Sequence, residues 1–174
     1  CNAGKQISGA GIIPRVCNVC PIGQVSILPG ANCSFCDAGK YANAENTTCT
    51  LCPKGKWSDV TGAHDASTCT NCSAGTYSSA TGVEAESGCN ECPPGTFSAD
   101  AGNTAPDDCL DSTRDTFNAD SKQSRCTACS RSTYADETGK TVCKSCNAGK
   151  QISGAGIIPR VCNICPIGQV SISP

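Results

Sequence analysis

Large apolar side chains are scarce in this sequence. The 174 residues include three Phe, three Tyr, one Trp and no Met, so the hydrophobic fraction of 38% consists largely of Cys and Ala with scattered Val and Ile. This inventory is too small for one globular core of about 100 residues. No apolar run approaches the ~20 residues that a spanning helix needs, so we expect no membrane span in this segment.

An excess of charge of one sign is also missing. Thirteen Lys and Arg against 15 Asp and Glu leave a formal charge of −2, which gives no electrostatic reason to expect nucleic acid as a partner. Histidine is reduced to His64, in the turn-like stretch Thr-Gly-Ala-His-Asp-Ala-Ser. No nucleophile motif, phosphate loop or metal-binding helix is present. We therefore expect no enzyme, no catalytic residue and no cofactor, with His64 a solvated loop residue.

Cysteine, by contrast, accounts for 18 of the 174 residues, a density typical of disulfide scaffolds. Sixteen of the cysteines form eight Cys-x-x-Cys pairs. With the second cysteine of a pair as position 0, Gly tends to follow at +3, Thr or Lys at +4, an aromatic residue at +5 and Ser or Ala at +6. The clearest copies start at Cys52, Cys72 and Cys92, 20 residues apart. Such a fixed period indicates an array of repeats that lean on their neighbours.

A longer period contains the short one. Residues 1–29 and 146–174 differ only at Val19/Ile164 and Leu28/Ser173, so eight repeats form a superrepeat of 145 residues. We expect the chain to be a fragment of a longer tandem array. The repeats are 1–19, 20–35, 36–51, 52–71, 72–91, 92–111, the degenerate repeat 112–128, and 129–145, and 146–174 starts the next superrepeat.

The positions within a repeat predict its local structure. Glycine at +3 predicts a turn with positive φ, or a close approach of the backbone to a disulfide. A second glycine often follows at +10, and short extended pieces around two turns predict a β-hairpin-like loop. The aromatic residue at +5 is expected to form a miniature core. The predicted fold is small disulfide-rich repeats in an elongated rod of β-hairpin-like loops, with little regular secondary structure and no single core.

Metal and redox chemistry are the alternatives to disulfides. The motif Cys17-x2-Cys20-x12-Cys33-x2-Cys36 has a spacing close to that of a zinc ribbon. Redox proteins also use Cys-x-x-Cys, but no βαβ context surrounds any pair here. Six aspartates between 99 and 120 could suggest a calcium loop, yet they lack the EF-hand order of ligands. We favour disulfides, expect no metal and interpret the aspartates 100, 107, 108, 111, 115 and 120 as a solvated acidic face.

Three sequons support an oxidising compartment. Asn32, Asn46 and Asn71 each start an Asn-x-Ser/Thr motif, and N-glycosylation implies the secretory route, where thiols oxidise. We predict an extracellular or cell-surface location with covalent glycans at all three. Asn46 is the safest site, because a cysteine follows each of the other two and early bridge formation could hinder the transferase there.

Spacing alone does not decide the disulfide connectivity. The simplest pattern joins the second cysteine of one pair to the first of the next, and each loop of about 15 residues is then worth roughly 3 kcal/mol in the chain-entropy model. The pairs are Cys1–Cys17, Cys20–Cys33, Cys36–Cys49, Cys52–Cys69, Cys72–Cys89, Cys92–Cys109, Cys129–Cys143 and Cys146–Cys162. Cys126 is left unpaired because Ser112 replaces its partner, so it is either free to cross-link laterally to a neighbouring chain or a buried free thiol. Cys165 is equivalent to Cys20, so we expect its partner beyond the end of the chain.

The phrase Cys-x-x-Cys-Pro-x-Gly-Thr-Phe/Tyr-Ser, at Cys89 to Ser98 and in near form at Cys49 to Ser58 and Cys69 to Ser78, resembles the ephrin-receptor-like and tumour-necrosis-factor-receptor-like cysteine-rich repeats. The resemblance covers essentially the whole chain. It implies a protein of the kind found in animal receptor ectodomains and in long surface proteins of protists and algae, including mastigoneme-like proteins of flagellar hairs. No catalytic residue comes with it.

Two functions compete. The first is a structural protein of an extracellular filament or coat that polymerises with itself, head to tail or laterally through Cys126, since an array of near-identical repeats extends by duplication. The second is a receptor or adhesion ectodomain, which predicts a single ligand-binding patch and gives no reason for such a faithful 145-residue duplication. A protease inhibitor needs one exposed loop rather than nine copies. The sequence favours the filament.

Overall fold

A computed structural model of the protein describes residues 1–9, 16–153 and 160–167. The strands are β1 Lys5–Ser8, β2 Val16–Val19, β3 Gln24–Val25, β4 Ser34–Phe35, β5 Lys40–Ala42, β6 Cys49–Leu51, β7 Lys56–Trp57, β8 Thr70–Asn71, β9 Thr76–Tyr77, β10 Asn90–Glu91, β11 Thr96–Phe97, β12 Leu110–Asp111, β13 Thr116–Phe117, β14 Thr127–Ala128, β15 Thr133–Tyr134, β16 Lys144–Ser145, β17 Lys150–Ser153 and β18 Val161–Ile164. Short 3-10 helices cover Ala66–Thr68, Glu86–Gly88 and Pro106–Asp108. Within the described ranges, no helix has the length and apolar character to cross a membrane.

Each repeat folds as one hairpin, and consecutive strands pair two by two. The first strand starts at +4, directly after the glycine turn. The second strand contains the two residues between the cysteines of the next pair, as where Lys56–Trp57 pairs antiparallel with Thr70–Asn71. A hairpin this short is at best marginally stable by itself, so covalent closure and neighbouring repeats have to stabilise it. The prediction of small disulfide-rich repeats of hairpin type is confirmed.

In the part of the chain that the structure describes, eight disulfides close eight of these nine hairpins, and the hairpin of the degenerate repeat has none. Each joins a cysteine at position 0 to the cysteine that starts the next pair, with Cα atoms 5.4 to 5.9 Å apart. The pairs are Cys1–Cys17, Cys20–Cys33, Cys36–Cys49, Cys52–Cys69, Cys72–Cys89, Cys92–Cys109, Cys129–Cys143 and Cys146–Cys162. Each bridge therefore lies within one repeat, and its second cysteine is close to the junction with the next repeat.

The buried side chains are small, which corrects the expected miniature core. In the fourth repeat Cys52 and Ser58 are buried, whereas Trp57 is only half-buried. The buried residues at +6 are Ser26, Ala42, Ser58, Ser78, Ser98, Asn118 and Ala135. Successive strand residues point to opposite faces, and it is the +6 residue that lies against the next repeat. Little room remains for a large side chain against the next repeat, so the aromatic residue at +5 lies on the opposite face of the strand.

The chain divides into two compact units. The first comprises Cys1–Ser73, Tyr77–Asn90 and Gly102–Ala105, and the second comprises Ala74–Thr76, Glu91–Ala101 and Pro106–Pro174. The first unit contains a small apolar cluster of Val25, Cys36 and Ala42, with Cys49 packed against it. The second unit buries the polar residues Ser112 and Asp115.

Candidate assembly interface

Adjacent repeats are joined by backbone hydrogen bonds that recur at equivalent positions. The backbone N–H of Gly55 donates to the carbonyl of Ser78 at 2.9 Å, and the N–H of Ser58 donates to the carbonyl of Val83 at 3.0 Å. In general the residue at +3 donates to the residue at +6 of the next repeat, and the residue at +6 donates to the turn near +11. These bonds use no side chain. The same junction therefore forms between repeats whose sequences differ widely.

A second contact skips one repeat. Gly55 at +3 has a φ of 74°, and a Cβ added to it would overlap the carbonyl oxygen of Gly102, the +10 residue two repeats on. The same contact joins Gly23 to Gly62, Gly39 to Gly82, Gly75 to Lys122 and Gly95 to Gly139. The positive φ was expected. The close approach is to a distant backbone and not to a disulfide, so that part of the expectation is wrong.

This contact between non-adjacent repeats was missed by the sequence reasoning. Its signal was present in the two glycine positions, +3 and +10, which recur together along the chain. At Gly55 and the equivalent glycines two features favour this residue, since the backbone is left-handed and a Cβ would overlap the backbone of a distant repeat. Each repeat therefore contacts the repeat two positions on through its +3 residue and the repeat two positions back through its +10 turn.

Three other residues adopt positive φ within the described ranges. Asn46 (55°) and Lys122 (59°) occupy +10, and Asp115 (63°) occupies +3. For an L-residue this conformation costs about 1 to 2 kcal/mol, and Asn and Asp tolerate it best because their side chains bond locally. Here both side chains bond to distant residues instead: Asn46 Nδ2 donates to the carbonyl of Cys20, and the Asp115 carboxylate accepts from the backbone N–H groups of Ala135 and Arg160.

The three sequon asparagines have different surroundings. Asn32 and Asn71 are exposed, whereas Asn46 is half-buried in its +10 turn. Its Nδ2 donates to the carbonyl of Cys20 at 3.4 Å, and its own carbonyl accepts from Ser26 N–H at 3.0 Å. Glycosylation at all three stays a prediction.

The degenerate repeat leaves one thiol without a partner. Ser112 takes the position of a cysteine, is fully buried, and has a hydroxyl without a hydrogen-bond partner. Cys126, which would have bridged to that position, is a half-buried free thiol. Cys165 is also a free thiol, and its expected partner lies outside the described residues.

The residues considered for metal or catalytic chemistry are dispersed. Within residues 1–9, 16–153 and 160–167, no group of three or more His, Cys, Asp or Glu side chains is arranged to hold a metal ion. The four cysteines of the zinc-ribbon-like motif lie in three disulfides. Exposed His64 has its Nε2 3.0 Å from Asp65, and hydrogen bonds from Ser67 hold the pKa of Asp65 below its usual value. Asp115 is buried, so the predicted acidic face is wrong at that residue.

Some ionisable side chains form ion pairs at the surface. Lys144 Nζ donates to both carboxylate oxygens of Asp136 at 3.0 Å. This bond lowers the pKa of Asp136 and raises the pKa of Lys144. Both groups are solvated, and exposed pairs of this kind contribute little to stability. They indicate a local hairpin contact rather than a reactive centre.

Comparison with known proteins adds no identity: no protein-family model and no curated protein matches the chain.

Proposed function

We propose that this chain is a structural repeat protein of an extracellular, glycosylated filament or surface coat and that it is built into a longer tandem array. Disulfide-linked hairpin repeats are typical of proteins of oxidising, secreted environments. The proposal assigns no catalytic activity to the chain.

The observation that carries the proposal is the form of the contact between repeats. The +3 residue of one repeat packs against the +10 turn of the repeat two positions on, as Gly55 packs against Gly102. The +10 turn of the first repeat packs in turn against the repeat two positions back. The two surfaces of this contact are different, so it is heterologous. A heterologous relation that does not close on itself generates fibres rather than closed oligomers.

The long period supports the same function. The hairpin of β1 and β2 recurs 145 residues later in β17 and β18 with equivalent register, Lys5↔Val19 against Lys150↔Ile164. The side-chain bond between Asn18 and Ser8 recurs between Asn163 and Ser153. A ligand-binding ectodomain has no need of such fidelity. A polymer does, because each added superrepeat has to join the array in the same way.

A receptor or adhesion ectodomain is the second candidate. The second repeat exposes Ile22, Ile27, Leu28 and Phe35, with relative exposures of 58 to 78%. Exposed apolar residues that gather in one region mark interaction sites. The resemblance to ephrin-receptor-like repeats fits this function as well as the first.

Negative-stain electron microscopy of the native material, combined with mass mapping of its peptides, distinguishes the filament protein from the ectodomain. The filament predicts extended fibres, intact chains with several copies of the 145-residue period, and N-glycan masses on the sequon peptides. Discrete particles with a single copy of the period would move the assignment to the ectodomain. Unmodified peptides at Asn32, Asn46 and Asn71 would contradict the secretory assignment in both.

A further inference from the structure

Within the residues that the structure describes, a contact between Asp115 and Arg160 joins the end of one superrepeat to the start of the next. We propose that Arg160 and Asp115 form a clamp that fixes the first repeat of one superrepeat against the end of the preceding one. Arg15 is the equivalent of Arg160 in residues 1–29, so in a longer array the residue at this position would join each copy to the one before it. The inference rests on the proposed function and deepens it, because it names the contact between consecutive copies.

The guanidinium of Arg160 binds a group of backbone carbonyls. Its Nη1 lies 2.7 Å from the carbonyl oxygen of Ser130, 3.3 Å from that of Thr133 and 3.4 Å from that of Cys129. All three carbonyls belong to residues 129–133, the segment that opens the eighth repeat and leads into β15. A charged donor makes stronger bonds than a neutral one, and lysine, with a compact ammonium, does not reproduce the planar arrangement of donors.

The backbone beside Arg160 binds the carboxylate of Asp115. Arg160 N–H donates to one carboxylate oxygen at 2.8 Å, and Ala135 N–H donates to the other at 3.3 Å. Asp115 is only 5% exposed, and a buried carboxylate is stable only if it is hydrogen-bonded or paired. The carboxylate therefore links the eighth repeat to the first repeat of the next superrepeat.

Asp115 stands where six earlier repeats have glycine at +3, and it keeps the left-handed backbone of those glycines, with a φ of 63°. Strain of this kind persists where surrounding contacts enforce it. The glycines receive the turn two repeats on, whereas Asp115 receives Arg160, also two repeats on. The acidic residue at +3 therefore makes a polar contact with the repeat two positions on, where the glycines make a steric contact.

Both members of the clamp occur once in each superrepeat. Among the eight repeats of residues 1–145, aspartate occupies +3 only at Asp115, and arginine occupies +14 only at Arg15. Asp115 and Arg160 are 45 residues apart, so the acidic partner of Arg15 would belong to a preceding superrepeat. The glycine contacts recur from repeat to repeat, so they cannot mark where a superrepeat begins. The pair of Asp115 and Arg160 occurs once in the 145-residue period, so it can define how consecutive superrepeats align.

The test uses the 174-residue chain with its disulfides intact and measures amide hydrogen exchange. Arg160→Ala and the milder Arg160→Lys are compared with Arg15→Ala, the matched control in the other copy of the same sequence. Arg160→Ala is expected to increase exchange at Ala135 and at residues 160–164 by at least about tenfold, because charge-assisted bonds are lost. Arg160→Lys should give a smaller increase at the same amides, and Arg15→Ala should leave them unchanged.

Asp115→Gly restores the residue type of the other repeats and provides the second half of the test. It should increase exchange at the same amides. Combining it with Arg160→Ala should increase exchange further, because Arg160→Ala removes the guanidinium–carbonyl bonds, whereas Asp115→Gly removes the separate bonds from the backbone N–H groups of Arg160 and Ala135. The clamp is overturned if Arg160→Ala changes exchange there by less than about twofold, or if Arg15→Ala has an equal effect. Because this experiment is independent of filament formation, absent fibres with a responsive Arg160 would reject the proposed function and retain the clamp.

Discussion

At the residue scale, the most buried side chains of this protein are small. Cys36, Cys52, Cys72 and Cys92 are fully buried, with serine or alanine at the neighbouring +6 positions. A disulfide that closes a loop of about 15 residues contributes roughly 3 kcal/mol, similar to the burial of one leucine at about 1.5 to 3 kcal/mol. Bridges thus replace the large side chains that the composition lacks.

Substitution of Ser112 by cysteine should complete the missing bridge. Ser112 and Cys126 are 14 residues apart, within the 13 to 17 of the other pairs. We expect Ser112→Cys to raise the free energy of unfolding by about 3 kcal/mol. Thiol titration of the native chain should then count one reactive thiol, from Cys165, instead of two.

The control is Ser112→Ala. It removes the buried hydroxyl that has no partner, which should stabilise the chain by about 1 kcal/mol without any change in thiol count. If Ser112→Cys retained the Cys126 thiol and added a second, the two positions would not be bridge partners, and the assignment of the degenerate repeat would be wrong.

At the scale of the elements, no hairpin is independent. Strands of two residues bury too little surface to offset the conformational entropy of ordering them. Their backbone groups bond to the next repeat, and their turns pack on the repeat after it. The stability of one hairpin is therefore a property of about three consecutive repeats, as in other quasi-one-dimensional arrays.

Two glycines separate the effect of backbone conformation from the effect of packing. Gly55 and Gly149 both occupy +3, with φ of 74° and 79°, but only Gly55 has a backbone carbonyl in the space of a Cβ; no described atom lies within 4 Å of that space at Gly149. Gly149→Ala should lower the free energy of unfolding by about 1 to 2 kcal/mol from φ strain alone. Gly55→Ala should lower it by at least about 3 kcal/mol, because overpacking adds to the strain.

Urea unfolding with intact disulfides measures both variants. Equal losses of stability would mean that the contact with Gly102 adds nothing to the φ requirement. The account of packing between non-adjacent repeats would then be wrong.

At the scale of the whole molecule, covalent bonds outweigh apolar packing. The described residues contain a small cluster around Val25 and Cys36, and the remaining buried apolar side chains are cysteines and alanines. With so little buried apolar surface, the hydrophobic contribution is small. The folded state therefore depends on the eight loops that the disulfides close.

Reduction should unfold the chain, whereas metal removal should not. After treatment with a phosphine reductant and alkylation, we expect the amide NMR spectrum to lose its dispersion, because each opened loop regains roughly 3 kcal/mol of chain entropy. EDTA under oxidising conditions is expected to leave the spectrum unchanged. Unfolding by EDTA alone would instead favour the zinc-ribbon interpretation of Cys17 to Cys36.

The sequence by itself determined the features that depend on nearby residues. The repeat starts, the hairpin in each repeat and the positive φ at +3 follow from spacing and from glycine chemistry. The pairing of Cys72 with Cys89 is the simplest pattern that the spacing allows, but the choice among the possible connectivities came from the structure. The absence of a large core follows from composition alone.

Only the tertiary structure decided what lies against each repeat. It buried Ser58 and left Trp57 half-exposed, although an aromatic side chain is the better candidate for a core. It also brought Gly55 to Gly102 and Asp115 to Arg160, which are 47 and 45 residues apart. The physical reason is that burial and such distant contacts depend on how successive hairpins stack, and the stacking is set by backbone hydrogen bonds that no side chain encodes.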